Sequence, residues 1–196
     1  MTKMTTTNPS TYTAPAKLFH WLTVVLLTLQ YTLGWLMPDA DQFSQPSGPT
    51  AWHLSFGALM LLLVLVRLLW RTMHPVPQPL AQSRSLQQAA QVTHWLLYFL
   101  LLALPLLGWA NASSRGWTVL LFGVLPLPPL LALDSPLGHI FGDLHILAAW
   151  MLIVVAGLHV AAALYHHLVA KDDTLQRMLP LRWFGRKAGG SSSRTS

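Results

Sequence analysis

Nine histidines, set against six carboxylates and no cysteine, define most of the chemistry this chain can offer. His20, His53, His145 and His159 lie within long apolar stretches, where an imidazole is conspicuous. His145 and His159 are fourteen residues apart in one apolar run that continues to His166-His167. That spacing is two heptads, so both histidines return to the same seam of a left-handed bundle. In a straight helix they stand about 40° apart in rotation and roughly 21 Å apart along the axis. Ionisable side chains in hydrocarbon are costly and face a bundle interior or a pathway, which points to a shared interior site.

The elements that must position these residues follow from hydropathy. The chain has 196 residues, 53% hydrophobic and 9% charged, and a mean hydropathy of +0.46. Soluble domains carry about 25% charged residues, so this is a membrane protein. Four segments are long enough to cross about 30 Å of hydrocarbon: residues 16–37, 50–73, 89–112 and 137–169. Gly116 to Pro136 is apolar but broken by Pro126, Pro128, Pro129 and Pro136, so it reads as an interfacial cap rather than a fifth span. Pro105 is expected to kink the third segment, and tryptophans gather near the segment ends as an aromatic belt. The Thr-rich start has no apolar core, so the first span is expected to act as an uncleaved anchor. The expected organisation is residues 1–15 as a cytoplasmic segment, 16–170 as the membrane domain, and 171–196 as a basic tail whose Gly/Ser-rich end is disordered.

Charge fixes the orientation. Of the twelve basic residues, Arg115 alone falls opposite the other eleven, beside Asp39, Asp41, Asp134 and Asp143. By the positive-inside rule both termini are cytoplasmic. A pI near 10.2 therefore reflects membrane topology and gives no reason to expect nucleic acid. The reading is an all-α, integral membrane four-helix bundle with both termini cytoplasmic.

With orientation set, the histidines sort by depth. His53 and His145 share the outer level; His20 and His159 share the inner one. Zinc would need four ligands at each level, and neither cysteine nor carboxylate is at hand there. Haem needs only two axial ligands and fills an apolar gap between helices with its macrocycle. Without C-x-x-C-H it would be held non-covalently, as haem b. The fourteen-residue step recurs as His20 to Gly34, His53 to Arg67 and His94 to Gly108. Gly34 and Gly108 would make room at the outer haem, although ordinary close helix packing explains them equally well. Arg67 would face the inner level as a propionate partner, or else snorkel to the surface. His94 reads as opening the third helix, as an interfacial residue or propionate partner, and His74 as a solvated loop residue.

Phe19-His20-Trp21-Leu22, Trp52-His53-Leu54-Ser55-Phe56-Gly57, Val66-Arg67-Leu68 and Leu104-Pro105-Leu106-Leu107-Gly108 together resemble bacterial cytochrome b561. So do Gly157-Leu158-His159, Tyr165-His166-His167, Lys171-Asp172 and Met178-Leu179-Pro180, and the likeness covers residues 12–180. The resemblance implies a di-haem membrane cytochrome related to the cytochrome b subunits of formate dehydrogenases and nickel–iron hydrogenases. His20, His53, His145 and His159 match its axial-ligand positions. It also implies a superoxide oxidase activity that passes electrons from periplasmic superoxide to ubiquinone, with the quinone near His166. Arg115 is then the residue expected to steer superoxide, with Asn111 and Ser113 as possible hydrogen-bond donors. One rival reading is a haem-bearing anchor for a partner dehydrogenase, docked on the outer cap. Another is a cofactor-free transporter or scaffold.

Overall fold

The computed structural model describes residues 11–38, 45–77 and 83–179. Four helices dominate: α1 (Ala14–Leu36), α2 (Gly48–Met73), α3 (Arg84–Ser114) and α4 (Leu137–Tyr165), the last running into a π turn over His166–Ala170. All four are long and apolar enough to cross a membrane, and few of their residues are buried within the bundle. Lys3, Asp39, Asp41, Arg182, Arg186, Lys187 and Arg194, which entered the charge argument, lie outside the described residues.

Local chemistry sets the helix ends. Thr13 caps α1 by accepting from the Ala16 N–H at 3.4 Å, with Pro15 in the first turn. α2 stops ahead of His74-Pro75, and His74 is not solvated as expected. Its ring stacks on Trp70 at 3.7 Å and its Nδ1 donates to the Trp70 carbonyl at 3.1 Å, completing an otherwise open helix end. α3 begins at Arg84, five residues earlier than the hydropathy suggested, because its first turns are polar and escape an apolar window. His94 is therefore well inside the helix rather than at its opening.

The segment from Gly116 to Pro136 forms no helix. It carries a short antiparallel hairpin, β1 (Leu120–Leu121) with β2 (Leu125–Pro126), in which Leu121 pairs with Leu125. The turn places Gly123 at φ +71°, a conformation glycine adopts without strain.

Helices adjacent in sequence are adjacent in space: α1 on α2, α2 on α3, α3 on α4. The α3–α4 crossing is close because Gly138 and Gly142 form a small-residue step. A Cβ at Gly138 would overlap the Ser114 hydroxyl, and one at Gly142 would meet Asn111 Oδ1 at 3.2 Å. By contrast, among the described residues no Cα of α1 or α2 comes within 8 Å of α4. A slot therefore separates α4 from the α1–α2 pair. Tyr31 bridges it, its hydroxyl donating to the Ala149 carbonyl at 2.5 Å. Between the two ends, Leu26, Met60, Val64, Tyr98, Leu101, Ala148 and Leu152 pack as the core.

Candidate functional site

The slot brings together the four histidines that the sequence singled out. At the outer level His53 of α2 and His145 of α4 face each other with ring centroids 6.1 Å apart and planes at 76°. His145 Nδ1 donates to the Leu104 carbonyl at 2.9 Å. That bond places the imidazole proton on Nδ1 and leaves Nε2 as the electron-pair donor. His53 Nδ1 is buried with no hydrogen-bond partner, a state that costs about 1–3 kcal/mol unless something else satisfies the ring. Gln30 Nε2 donates to the His53 carbonyl at 3.1 Å and so fixes α1 against the backbone that carries this ring.

A cavity of about 320 Å³ opens beside the outer rings, lined by His53, His145, Tyr31, Gly34, Gly108 and Trp150 among mainly apolar neighbours. The two glycines act first on the imidazoles. A Cβ at Gly108 would come within 3.0 Å of His145 Cε1, whereas one at Gly34 would sit 3.8 Å from His53 Cε1. A side chain at Gly108 would thus press on the present His145 ring, whereas Gly34 leaves ordinary van der Waals clearance to His53.

At the inner level three histidines meet rather than two. His20 of α1 lies 6.5 Å from His159 of α4, and His94 of α3 lies nearer still, at 5.3 Å between centroids. Arg67 Nη2 donates to His20 Nδ1 at 3.0 Å, and its guanidinium lies 5.3 Å from the centre of the Tyr98 ring. Because arginine only donates, His20 Nδ1 is here an acceptor and its ring proton is on Nε2. The sequence placed His94 on the inner level as an interfacial residue or propionate partner; the structure sets its ring against His159.

Two expected residues lie away from the slot. Arg115 sits at the outer end of α3, its Nε donating to Asn111 Oδ1 at 3.4 Å and its guanidinium 5.3 Å from the Trp117 ring centre. Ser113 is already engaged, donating to the Trp109 carbonyl at 2.8 Å and accepting from the Leu130 N–H at 3.1 Å. At the other end of the bundle, His166 Nδ1 pairs with Asp172 Oδ2 at 2.6 Å. Beneath α1, Lys17 Nζ and Trp21 Nε1 each donate at 3.1 Å to the carbonyls of Leu179 and Met178. The first residues of the expected tail therefore pack against the membrane domain.

Among the described residues no group of three or more His, Cys, Asp or Glu is arranged to hold a bare metal ion. Paired imidazoles across an apolar slot suit a metal whose remaining positions its own macrocycle fills. The outer level fits such a group as it stands, with a cavity, a buried unpartnered nitrogen and a preset His145 tautomer. The inner level fits by residue type, once Arg67 leaves His20 Nδ1.

Comparison with known proteins covers the same part of the chain. A family model described as prokaryotic cytochrome b561 matches residues 11–181. Cytochrome b561 homolog 2 of Escherichia coli (strain K12) is 32% identical over 176 residues, covering 89% of this chain and 94% of its own length. A Yersinia pestis protein described as "Probable superoxide oxidase CybB" is 35% identical over 162 residues, covering 82% and 91%. Cytochrome b562 of Cereibacter sphaeroides is 28% identical over 174 residues, covering 86% and 94%.

Proposed function

This chain belongs to the prokaryotic cytochrome b561 family, and on that premise we propose that it carries single electrons from periplasmic superoxide to ubiquinone through two non-covalent haem b groups. It is a multi-pass protein of the bacterial inner membrane, and its family binds haem b and transfers electrons. One observation carries the finer reading. The single helix α4 offers one imidazole toward α2 and another toward α1, at separate levels of a slot across which, among the described residues, no Cα of α1 or α2 comes within 8 Å of α4.

His53 with His145 would hold the outer haem, and His20 with His159 the inner one. When bound, such a group would supply a one-electron iron couple, and two holding histidines for each would favour electron transfer over oxygen binding. The chain's own residues do the rest. The Leu104 carbonyl keeps His145 in the tautomer with Nε2 available. Gly34 and Gly108 leave room beside the rings. Arg67 is the cation for an inner propionate. Arg115, beside Trp117, adds positive potential for an anionic donor at the outer end. His166 exchanges protons at a quinone carbonyl at the inner end. The overall balance is two superoxide, one ubiquinone and two protons giving two dioxygen and one ubiquinol. Superoxide is favoured as donor by the described activity of the Yersinia relative.

The test uses the purified, haem-loaded chain in liposomes, as wild type and as His159→Ala. The wild type is expected to bind two haems and reduce ubiquinone in proportion to superoxide supplied, and the variant to bind one and lose the quinone reaction. Unchanged haem content would overturn the ligand assignment. Two haems without superoxide-dependent turnover would point to a partner dehydrogenase as donor.

A further inference from the structure

The inner end of α4 holds a constellation that haem binding does not use. The helix widens into a π turn over His166–Ala170, and such turns recur at functional sites. Lys171 then adopts a left-handed conformation, φ +52°, which costs roughly 1–2 kcal/mol for a residue other than glycine. That turn brings the chain back on itself. The Asp172 N–H donates to the His166 carbonyl at 3.0 Å, and the Asp172 carboxylate accepts a hydrogen bond from His166 Nδ1 at 2.6 Å. The second carboxylate oxygen, Oδ1, accepts from the Thr174 N–H at 2.9 Å. Asp172 is thus bound to His166 twice and pinned by Thr174, with both side chains largely shielded, 21% and 25% exposed.

The carboxylate stays ionised. Burial pushes its pKa up, but the Thr174 hydroxyl and N–H and the His166 ring outweigh this and hold it below the usual value. The interaction is therefore present above that lowered value and is lost only as the pH falls through it. Around the pair, Tyr165 lies edge-on to the His166 ring at 6.0 Å, and His167, Lys171 and Asp173 adjoin it in sequence. Arg177 donates its backbone N–H to the Asp173 carbonyl, and Lys17 of α1 is held on Leu179.

We propose that Asp172 is a positioning residue for quinone protonation: it confines the His166 proton on Nδ1 and stabilises the imidazolium whose Nε2–H is passed to a quinone oxygen. The proposal rests on the reading that quinone binds at His166. A neutral imidazole with its proton on Nδ1 can only accept at Nε2, and a quinone carbonyl also only accepts. A hydrogen bond between them therefore needs the imidazolium, which a fixed carboxylate favours. In each passage an Nε2–H bond breaks and a quinone O–H bond forms. The imidazole regains a proton from the inner aqueous side. Two passages accompany the two electrons supplied singly by the donor, giving ubiquinol.

The experiment measures superoxide-driven reduction of short-chain ubiquinone by the haem-loaded protein in liposomes across pH 5.5–9. It compares wild type with Asp172→Asn, Asp172→Glu and His166→Ala. Asp172→Asn keeps the shape and removes the charge. We expect its kcat to fall about tenfold with KM within about twofold, and the alkaline limb of its pH profile to move to lower pH. Asp172→Glu should restore most of both. A wild-type profile in Asp172→Asn with His166→Ala inactive overturns the proposal and leaves the quinone reading standing. Wild-type turnover in both sinks the quinone reading as well. Should Asp172→Asn fail to bind haem, Asp172→Glu decides: retained turnover with the wild-type pH limb supports the carboxylate role, and loss overturns it.

Discussion

The two ends of the slot solve the problem of histidine in a membrane differently. At the outer level the solution is space. Two imidazoles stand beside a cavity of about 320 Å³, Gly108 supplies the clearance His145 needs, and no charged residue lines the opening. At the inner level the solution is company: three histidine rings lie close together, and Arg67 donates to His20 and sits over the Tyr98 ring. The consequence lies in the protons. Leu104 sets His145 ready to coordinate through Nε2, whereas Arg67 sets His20 with its ring proton on Nε2 and has to withdraw before that nitrogen can coordinate. The outer level is preorganised. On the proposed ligation, the inner one would exchange a protein–protein hydrogen bond for a haem ligand and free the Arg67 guanidinium for a propionate.

The sharpest way to break this contrast is to remove the clearance. In Gly108→Val the first added carbon alone comes within 3.0 Å of His145 Cε1 and 3.1 Å of its Nδ1, so the ring must shift. Bound haem, read by the pyridine haemochrome assay, is expected to fall from two per chain to one. Gly34→Ala, whose Cβ would lie 3.8 Å from His53 Cε1, should keep both. Loss of both haems in Gly108→Val would show that the levels are coupled, not independent.

A second, smaller effect belongs to the inner level. Arg67→Leu removes a cation close to His20, and a nearby cation favours the electron-rich state. At an effective dielectric of 20 over about 8 Å the interaction is roughly 2 kcal/mol, so the inner midpoint potential should drop by about 50–100 mV. The outer potential should move far less. A redox titration of the variant showing equal shifts at both haems would remove the distinction between a charged and an uncharged level.

Much of this architecture was legible in the sequence because both signals behind it are periodic. Hydropathy marked four spans, and the fourteen-residue step put His145 and His159 on one face, with His53 and His20 at matching depths. What stayed hidden depends on backbone detail. The polar first turns of α3 concealed that the helix starts at Arg84, ten residues before His94. The hairpin at Leu120–Pro126 is only two short strands, too brief for an alternation to register. The pairing of His166 with Asp172 needs a π turn and a left-handed Lys171, which no spacing rule anticipates. The Tyr31 bridge was invisible for the same reason: it joins residues 118 apart through a side chain.

That bridge yields the smallest effect and tests what holds the slot at its width. Tyr31 donates to the Ala149 carbonyl, and no α1 backbone approaches α4. Interhelical hydrogen bonds in membranes are worth about 0.6 kcal/mol on average, since the separated helices find other partners. Tyr31→Phe should therefore lower the melting temperature of the haem-free protein by only about 1–3 °C. With haem bound the difference should shrink further, because ligation by His53 and His145 would span the same slot with stronger bonds. A larger loss in the haem-loaded protein than in the haem-free one would mean the opposite. The hydroxyl would then set the spacing that the outer haem requires, and the preorganisation of that level would rest on Tyr31 as much as on Gly108.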